Sequence, residues 1–192
     1  MEKAAYLGIF GPGPNSSAAL CTQDEIIAWA EEERFNRIKT APNSYPVQAI
    51  GYCLKEAEKR GLELTSVGYA WDCENYAQLA TENLKNTIEK YPSSTDDISL
   101  KVQESLNALY DPEMVRYNLS HILRKKGYEL DDLNFKFYAH HLCHAASAQY
   151  CTDFEESVII INDGVGEVAS STLYHYTSEG EFKELENVEL PH

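Results

Sequence analysis

The chain has 192 residues, 43% hydrophobic and 24% charged, which is ordinary for a globular protein and allows one domain or one and part of another. The formal net charge of −15 repels polyanions, so the composition disfavours nucleic-acid binding. No stretch approaches membrane-spanning length and no secretion signal is visible, so we expect a cytoplasmic protein without a membrane partner.

Three short antiparallel strands are predicted first, at Ala5–Phe10, Ser16–Cys21 and Ile26–Ala30. A tight turn at Thr22–Glu25 joins the second strand to the third. The glycine-rich loop after the first strand is not followed by a helix, so it does not match a dinucleotide-binding fingerprint. The charged run Glu31–Arg37 is typical of a solvated face.

Helices are predicted in the middle of the chain. Apolar stripes at helical spacing run through Val47–Ala57 and Tyr76–Ile88, and Asp111–Gly127 carries helix start and stop signals at its two ends. A strand is predicted at Val67–Trp71. Further strands follow at the positions Phe135–Ala139, Val158–Asn162, Ala169–Tyr176 and Phe182–Val188. The chain is therefore predicted to be α/β, with its pattern starting again near residue 155.

Three of the six histidines fall within five residues, from His140 to His144. His140 and His144 are spaced i and i+4, so they share one face of a helix. Such a pair alone is a metal site in roughly one case in four. His141 points about 100° away from His140 and is interpreted as structural.

Asp163 ends the next predicted strand and supplies an oxygen donor. A turn is predicted at Asp163–Gly166, where Gly164 and Gly166 allow a ligand to approach the backbone closely. Two imidazoles and a carboxylate with open positions suit Fe(II) or Zn(II). A metalloprotease is disfavoured because His141 stands where the zincin motif has glutamate.

The cysteines are scattered and form no CxxC pair, so reduced thiols in a cytoplasmic protein fit best. Cys143 lies among the histidines, where it could serve as a soft metal ligand. A buried thiol is the favoured interpretation, by roughly three to one.

Several ordered motifs resemble the O-carbamoyltransferases of the NodU/CmcH/TobZ type, which act in nodulation-factor and antibiotic biosynthesis. The resemblance runs the whole length of the chain. The matching segments are Ser16–Leu20, Glu31–Phe35 with Arg37–Lys39, His140–Ala148 and Asp163–Glu167.

The resemblance implies an actin/hexokinase-like fold similar to TsaD-type tRNA-modifying proteins. Residues 1–153 would form the first lobe and residues 154–192 the incomplete start of the second. The resemblance also implies that His140, His144 and Asp163 bind iron, and that Gly164 and Gly166 belong to a phosphate-approaching turn.

In such enzymes a separate YrdC-like domain makes carbamoyl-adenylate from carbamoyl phosphate and ATP. The TsaD-like domain then moves the carbamoyl group to a hydroxyl of a small molecule. The family is longer than this chain. We therefore expect an excised portion, a truncated product or one half of a split enzyme, inactive alone and completed by a YrdC-like portion in cis or in trans. Exposed apolar surface on such a portion would favour a homo-oligomer.

Two departures from the family pattern leave the general base unassigned. Pro14 and Asn15 stand where the family usually has His-Asp, and Lys39 is followed by threonine and alanine in place of His-Asp. Asn15 and Lys39 are the remaining catalytic candidates, although an asparagine cannot abstract a proton.

Three other interpretations stay open. The first is a non-catalytic scaffold or regulatory half of such an enzyme. The second is a TsaD-like tRNA threonylcarbamoylation protein, which the net charge of −15 and the Glu31–Phe35 motif argue against. The third is a sugar kinase of the same fold class, in which the histidine pair would have no role.

Overall fold

The computed structural model describes residues 4–190. The chain divides into two compact units. The first contains residues 4–70 and 112–137, and the second contains residues 71–111 and 138–190. The predicted boundary between residues 153 and 154 stays a prediction. Across the described residues, every helix is too short or too polar to cross a bilayer.

The first unit is built on a five-stranded mixed sheet. Its strand order is β3-β2-β1-β4-β5, in which β1–β2 and β2–β3 are antiparallel and β1–β4 and β4–β5 are parallel. The strands are β1 (Ala4–Phe10), β2 (Ser17–Cys21), β3 (Ile26–Glu31), β4 (Glu63–Tyr69) and β5 (Asn134–Phe137). The three antiparallel strands predicted at the start of the chain are confirmed.

The helices of the first unit are α1 (Glu33–Asn36), α2 (Val47–Arg60) and α5 (Pro112–Arg124), and a single helical turn lies at Leu130–Asp132. Helix α2 contacts strands β1 to β4 and buries Ile50 and Leu54. Gly61 ends α2 in the left-handed conformation, with φ of 64°, as its sequence signal predicts.

The second unit combines helices with an antiparallel sheet of order β6-β7-β8. Its helices are α3 (Cys73–Lys90), α4 (Asp96–Leu109) and α6 (His140–Gln149), and its strands are β6 (Ser157–Gly166), β7 (Ala169–Tyr176) and β8 (Phe182–Glu189). Helix α6 packs on β6 and β7. Its Ala145 is fully buried in a small core with Ile159, Ile161 and Tyr174.

Several boundaries differ from the predicted ones. The strand predicted at Val67–Trp71 is β4, Glu63–Tyr69, because Trp71 lies beyond the parallel pairing with β1. The turn predicted at Asp163–Gly166 is wrong, since β6 continues to Gly166, which pairs with Ala169. Helix α4 was not predicted.

The Glu31–Arg37 run is not a uniformly solvated face. Glu32 is 4% exposed. Its carboxylate accepts backbone N–H groups of Gln48 and Ala49, at 2.9 Å each, in the first turn of α2. The expected solvated face is therefore wrong at Glu32, because the start of α2 needs acceptors that Pro46 has no side chain to provide.

Candidate metal centre

The metal-ligating side chains predicted from sequence meet at one place in the second unit. The Nε2 atom of His140 lies 3.1 Å from Oδ2 of Asp163 and 3.1 Å from Nε2 of His144. The Nε2 atom of His144 lies 3.4 Å from the same Oδ2 atom. Within the described residues, this trio is the group whose donor atoms converge as a metal site requires.

The spacing fits a transition-metal ion. Ligand bonds of about 2.0–2.2 Å place neighbouring donor atoms roughly 3.0 Å apart at right angles and 3.4 Å apart in a tetrahedron. The three observed separations, 3.1, 3.1 and 3.4 Å, fall in that range. Two imidazole nitrogens and one carboxylate oxygen are also the donors that Fe(II) and Zn(II) accept.

The helical spacing of the two histidines accounts for two of the three donors. His140 is the first residue of α6, and His144 follows one turn later on the same face. Their rings meet edge to face, with centroids 4.5 Å apart. Because the buried Ala145 fixes the helix on the sheet, the histidine face is held toward the end of β6.

An irregularity in β6 supplies the third donor. The pairing of β6 with β7 shifts between Asn162 and Gly166, so Asp163 lies in a bulge. Bulges are common beside functional sites because they redirect a side chain. Burial acts to raise the pKa of Asp163, but the N–H of Gly164 and the adjacent His140 and His144 outweigh it and lower that pKa.

Aromatic side chains pack beside the ring of His140. The ring of Trp71, 7% exposed, lies 5.4 Å from the ring of His140. Trp71 in turn stacks on Tyr110 at 5.0 Å and meets Tyr76 edge-on at 5.5 Å. The side chain of His140 is consequently only 14% exposed, against 46% for His144, so the trio opens to solvent on the His144 side.

A small recess adjoins the trio on that open side. It has a volume of about 250 Å³ and is lined by His144, Ile160, Ile161, Asn162 and Asp163. Its walls combine apolar side chains with the amide of Asn162, whose Oδ1 accepts a hydrogen bond from Ser171 at 2.9 Å. A group of a few atoms can enter the recess and reach the donor trio.

His141 has the structural position that its helical angle predicts. It is 3% exposed, and its Nδ1 lies 2.7 Å from Oγ1 of Thr172 on β7. Burial lowers the pKa of His141, which keeps its imidazole neutral. It therefore fastens α6 to the sheet while its neighbours His140 and His144 face the site.

Cys143 lies outside the converging donors of the described residues. It is half-buried, and burial raises the pKa of its thiol to about 12. A thiol with that pKa is protonated at neutral pH. All five cysteines are free.

The two candidate glycines have different surroundings. Around Gly164 the position of a Cβ atom is open, with nothing within 4 Å. A Cβ atom on Gly166 would lie 2.4 Å from Cδ2 and 2.7 Å from Nε2 of His141. The space beside Gly166 is thus filled by a structural histidine, whereas the space beside Gly164 is available to a ligand.

The candidates Asn15 and Lys39 belong to the first unit, whereas the donor trio belongs to the second. The backbone N–H of Asn15 donates to the carbonyl oxygen of Thr40 at 2.7 Å, which joins the loops that carry the two candidates. Asn15 and Thr40 both adopt left-handed backbone conformations, with φ of 62° and 61°. Lys39 is exposed.

Sequence reasoning gave no role to Glu167, which accepts backbone N–H groups from Asp72 at 2.9 Å and from His140 at 3.1 Å. Burial raises the pKa of Glu167, although these two donors act to lower it. The only sequence signal was its place in the Asp163–Glu167 motif.

Comparison with known proteins gives a consistent family match. The family described as Carbamoyltransferase N-terminus matches residues 7–192. The chain is similar to Nodulation protein NolNO of Sinorhizobium fredii, with 34% identity over 160 residues that cover 83% of this chain and 21% of the relative.

Two other relatives carry no stated activity. An uncharacterized protein of Synechocystis, sll1178, is 33% identical over 174 residues that cover 88% of this chain and 26% of the relative. An uncharacterized 19.2 kDa protein of Rhizobium etli is 29% identical over 98 residues, covering 51% of this chain and 56% of the relative. The chain thus spans about a quarter of the length of the first two relatives.

Proposed function

Since the chain belongs to the Carbamoyltransferase N-terminus family, we propose that it supplies the metal-binding portion of an ATP-dependent carbamoyltransferase. In the proposed reaction a carbamoyl group moves from carbamoyl-adenylate to a hydroxyl of a small molecule. A YrdC-like portion, in cis or in trans, would make the carbamoyl-adenylate from carbamoyl phosphate and ATP.

The observation that carries this proposal is the convergence of His140, His144 and Asp163. These three side chains would hold Fe(II) or Zn(II). When bound, such an ion supplies Lewis acidity that polarises a carbonyl or phosphoryl oxygen. Three protein donors leave coordination positions for a substrate, as catalytic sites require.

The chain's own residues perform the binding steps of this proposal. The recess beside His144 and Asp163, at about 250 Å³, admits a planar group of carbamoyl size next to the donor trio. The amide of Asn162 offers hydrogen-bonding groups in that recess. The open space beside Gly164 lets a phosphate approach the backbone. Gly166 would contribute indirectly, because its lack of a side chain lets the β6–β7 turn pack against His141.

Asn15 and Lys39 are the candidates for acceptor activation in the proposed reaction. Asn15 can orient a hydroxyl by hydrogen bonding, and Lys39, with its exposed ammonium group, is the other candidate. The family's usual histidines are replaced at both places. A base supplied by a partner portion would fill that role equally well.

The strand order of the first sheet supports the proposal of an actin/hexokinase-like fold. Order β3-β2-β1-β4-β5, in which β2 alone runs opposite to the other four strands, is consistent with the first lobe of an actin/hexokinase-like, TsaD-like fold. In that proposal strands β6 to β8 begin the second lobe.

A small-molecule acceptor is favoured over tRNA. The net charge of −15 opposes binding of a polyanion.

The test is carbamoyl transfer in a defined mixture. The chain is combined with the separately produced C-terminal portion that the family resemblance implies, including its YrdC-like domain, and with ATP, Fe(II) and radiolabelled carbamoyl phosphate. Label on a hydroxyl acceptor is measured. We expect transfer to require the chain and to fall at least about 100-fold in His140→Ala, which is a loss of roughly 3 kcal/mol of transition-state stabilisation. The matched control, His121→Ala, removes an exposed histidine of the first unit and should leave transfer unchanged.

Transfer that is equal for the parent and His140→Ala would contradict the proposed metal role. If carbamoyl-adenylate forms in the mixture but the folded parent chain transfers nothing, the scaffold interpretation replaces the enzymatic one.

A further inference from the structure

Glu167 occupies a backbone conformation that favours glycine. It follows Gly166, the last residue of β6, in the turn to β7, and its φ is 47°. A non-glycine residue in a sparsely populated backbone region costs about 1–3 kcal/mol, and such residues cluster at functional sites. The presence of a long acidic side chain at this position therefore needs a compensating contact.

That contact is made by the carboxylate. Oε1 of Glu167 accepts the backbone N–H of Asp72 at 2.9 Å and that of His140 at 3.1 Å, and Oε2 lies 3.3 Å from the same His140 nitrogen. These N–H groups belong to the N-cap of α3 and to the first residue of α6. Helix starts leave such groups unpaired and attract negative charge, so a carboxylate is the matching acceptor.

The same turn holds α6 at a second point. Gly166 lies against the ring of His141, and that ring is fixed by its 2.7 Å contact with Thr172. Glu167 and Gly166 thus hold the two consecutive residues that begin the metal-binding helix. Since Asp163 lies in the same strand as Gly166, this turn links the carboxylate donor to the histidine donors.

We propose that Glu167 is a positioning residue of the metal centre: its carboxylate fixes the start of α6 so that His140 stands at ligand spacing from Asp163 and His144. The proposal rests on the metal site of the proposed function. Partners outside the ligand set that orient the ligands typically contribute 10–100-fold to metal affinity.

Cobalt(II) binding to the full chain tests this role. The affinity is measured by competition with a chromophoric chelator, and the visible spectrum of the bound cobalt reports its coordination. We expect Glu167→Ala to bind about 10–100-fold more weakly, with an altered spectrum. Glu167→Gln should remain within about threefold of the parent, because one amide oxygen can accept both N–H groups.

Two further variants test whether the position of the carboxylate, and not its charge or a loss of folding, determines the affinity for cobalt. Glu156→Ala removes an exposed carboxylate that directly precedes β6 and contacts His175. Its affinity for cobalt should therefore match that of the parent. Glu167→Asp keeps the charge but shortens the side chain, and it should weaken binding about tenfold even if the alanine variant is too unstable to measure.

Unchanged affinity and spectrum in Glu167→Ala, or in Glu167→Asp where the alanine variant does not fold, would overturn the proposal. Absence of cobalt binding by the parent, or equal binding by His140→Ala, would overturn the metal site of the proposed function and this proposal with it. A loss in Glu167→Gln as large as in Glu167→Ala would also overturn it, because hydrogen bonding to the two N–H groups would then not be what positions α6.

Discussion

The close approach of Gly166 to His141 determines how the β6–β7 turn lies on helix α6. The His141 ring is buried and held by Thr172, so it has little freedom to move away from a new methyl group. A Cβ atom at 2.4 Å from that ring is far inside van der Waals contact, so the turn or the helix must shift.

We predict that Gly166→Ala lowers the free energy of unfolding by about 1–3 kcal/mol, as an overpacked core position does. Gly164→Ala is the matched control, because its Cβ position is open, and its effect should stay within about 0.5 kcal/mol. Urea denaturation of the two variants beside the parent measures both effects. Equal stability of the two alanine variants would show that the turn does not rest on His141.

The donor trio could be predicted from sequence, but its support could not. Helical spacing alone puts His140 and His144 on one face, and the apolar run before Asp163 indicates the strand that carries it, although that strand continues to Gly166. The contacts of Glu167 and Trp71 depend on which backbone groups and rings the folded turns bring near. No local sequence rule specifies those contacts.

At the scale of elements, helix α2 depends on a cap from another part of the chain. Glu32 reaches the N–H groups of Gln48 and Ala49, whereas Pro46, at the N-cap, makes no side-chain hydrogen bond. Removing a buried acceptor leaves the donors unpaired, which costs about 1–3 kcal/mol and more where the acceptor is charged.

We predict that Glu32→Ala destabilises the chain by about 3 kcal/mol. Glu58→Ala removes an exposed carboxylate from α2 itself and should change stability by less than about 0.5 kcal/mol. Thermal melts followed by circular dichroism at matched pH compare the two variants. If the two variants melt at the same temperature, the buried carboxylate of Glu32 does not stabilise the start of α2.

Most elements with strong local signals were predicted well, and elements set by distant contacts were not. Helix α5 begins at Pro112 as its capping pattern indicates, and β7 covers the predicted Ala169–Tyr176. Helix α4 carries an apolar stripe at helical spacing, formed by Ile98, Val102, Leu106 and Leu109, which the sequence prediction overlooked, and none of its residues is buried. The β6 bulge appeared as a turn because its glycines are typical of turns, whereas pairing with β7 extends the strand.

At the scale of the molecule, the antiparallel sheet leaves apolar side chains exposed on one face. Val158 and Ile160 are 63% and 67% exposed, whereas Ile159 and Ile161, which alternate with them along β6, are buried. Leu173 pairs with Ile160 across the sheet and extends the patch. Such patches favour association, whereas the net charge of −15 opposes it.

We predict self-association that strengthens with salt, because salt screens the charge repulsion while the apolar contact remains. In sedimentation velocity, the average mass should rise with protein concentration and rise further in 0.5 M salt. Val158→Lys should weaken the effect, and Ile98→Lys, which changes an equally exposed residue of α4, should not. A stable monomer under all these conditions would contradict this prediction.

The most direct test of the account is the metal content of the chain. The parent is loaded anaerobically with Fe(II) or Zn(II) and dialysed, and bound metal is counted by mass spectrometry beside His140→Ala, His144→Ala and Asp163→Ala. His121→Ala serves as the exposed control. The account predicts one ion per chain for the parent and the control, and little or none for the three variants. Retention of a full ion by Asp163→Ala, with unchanged affinity, would contradict the three-donor site.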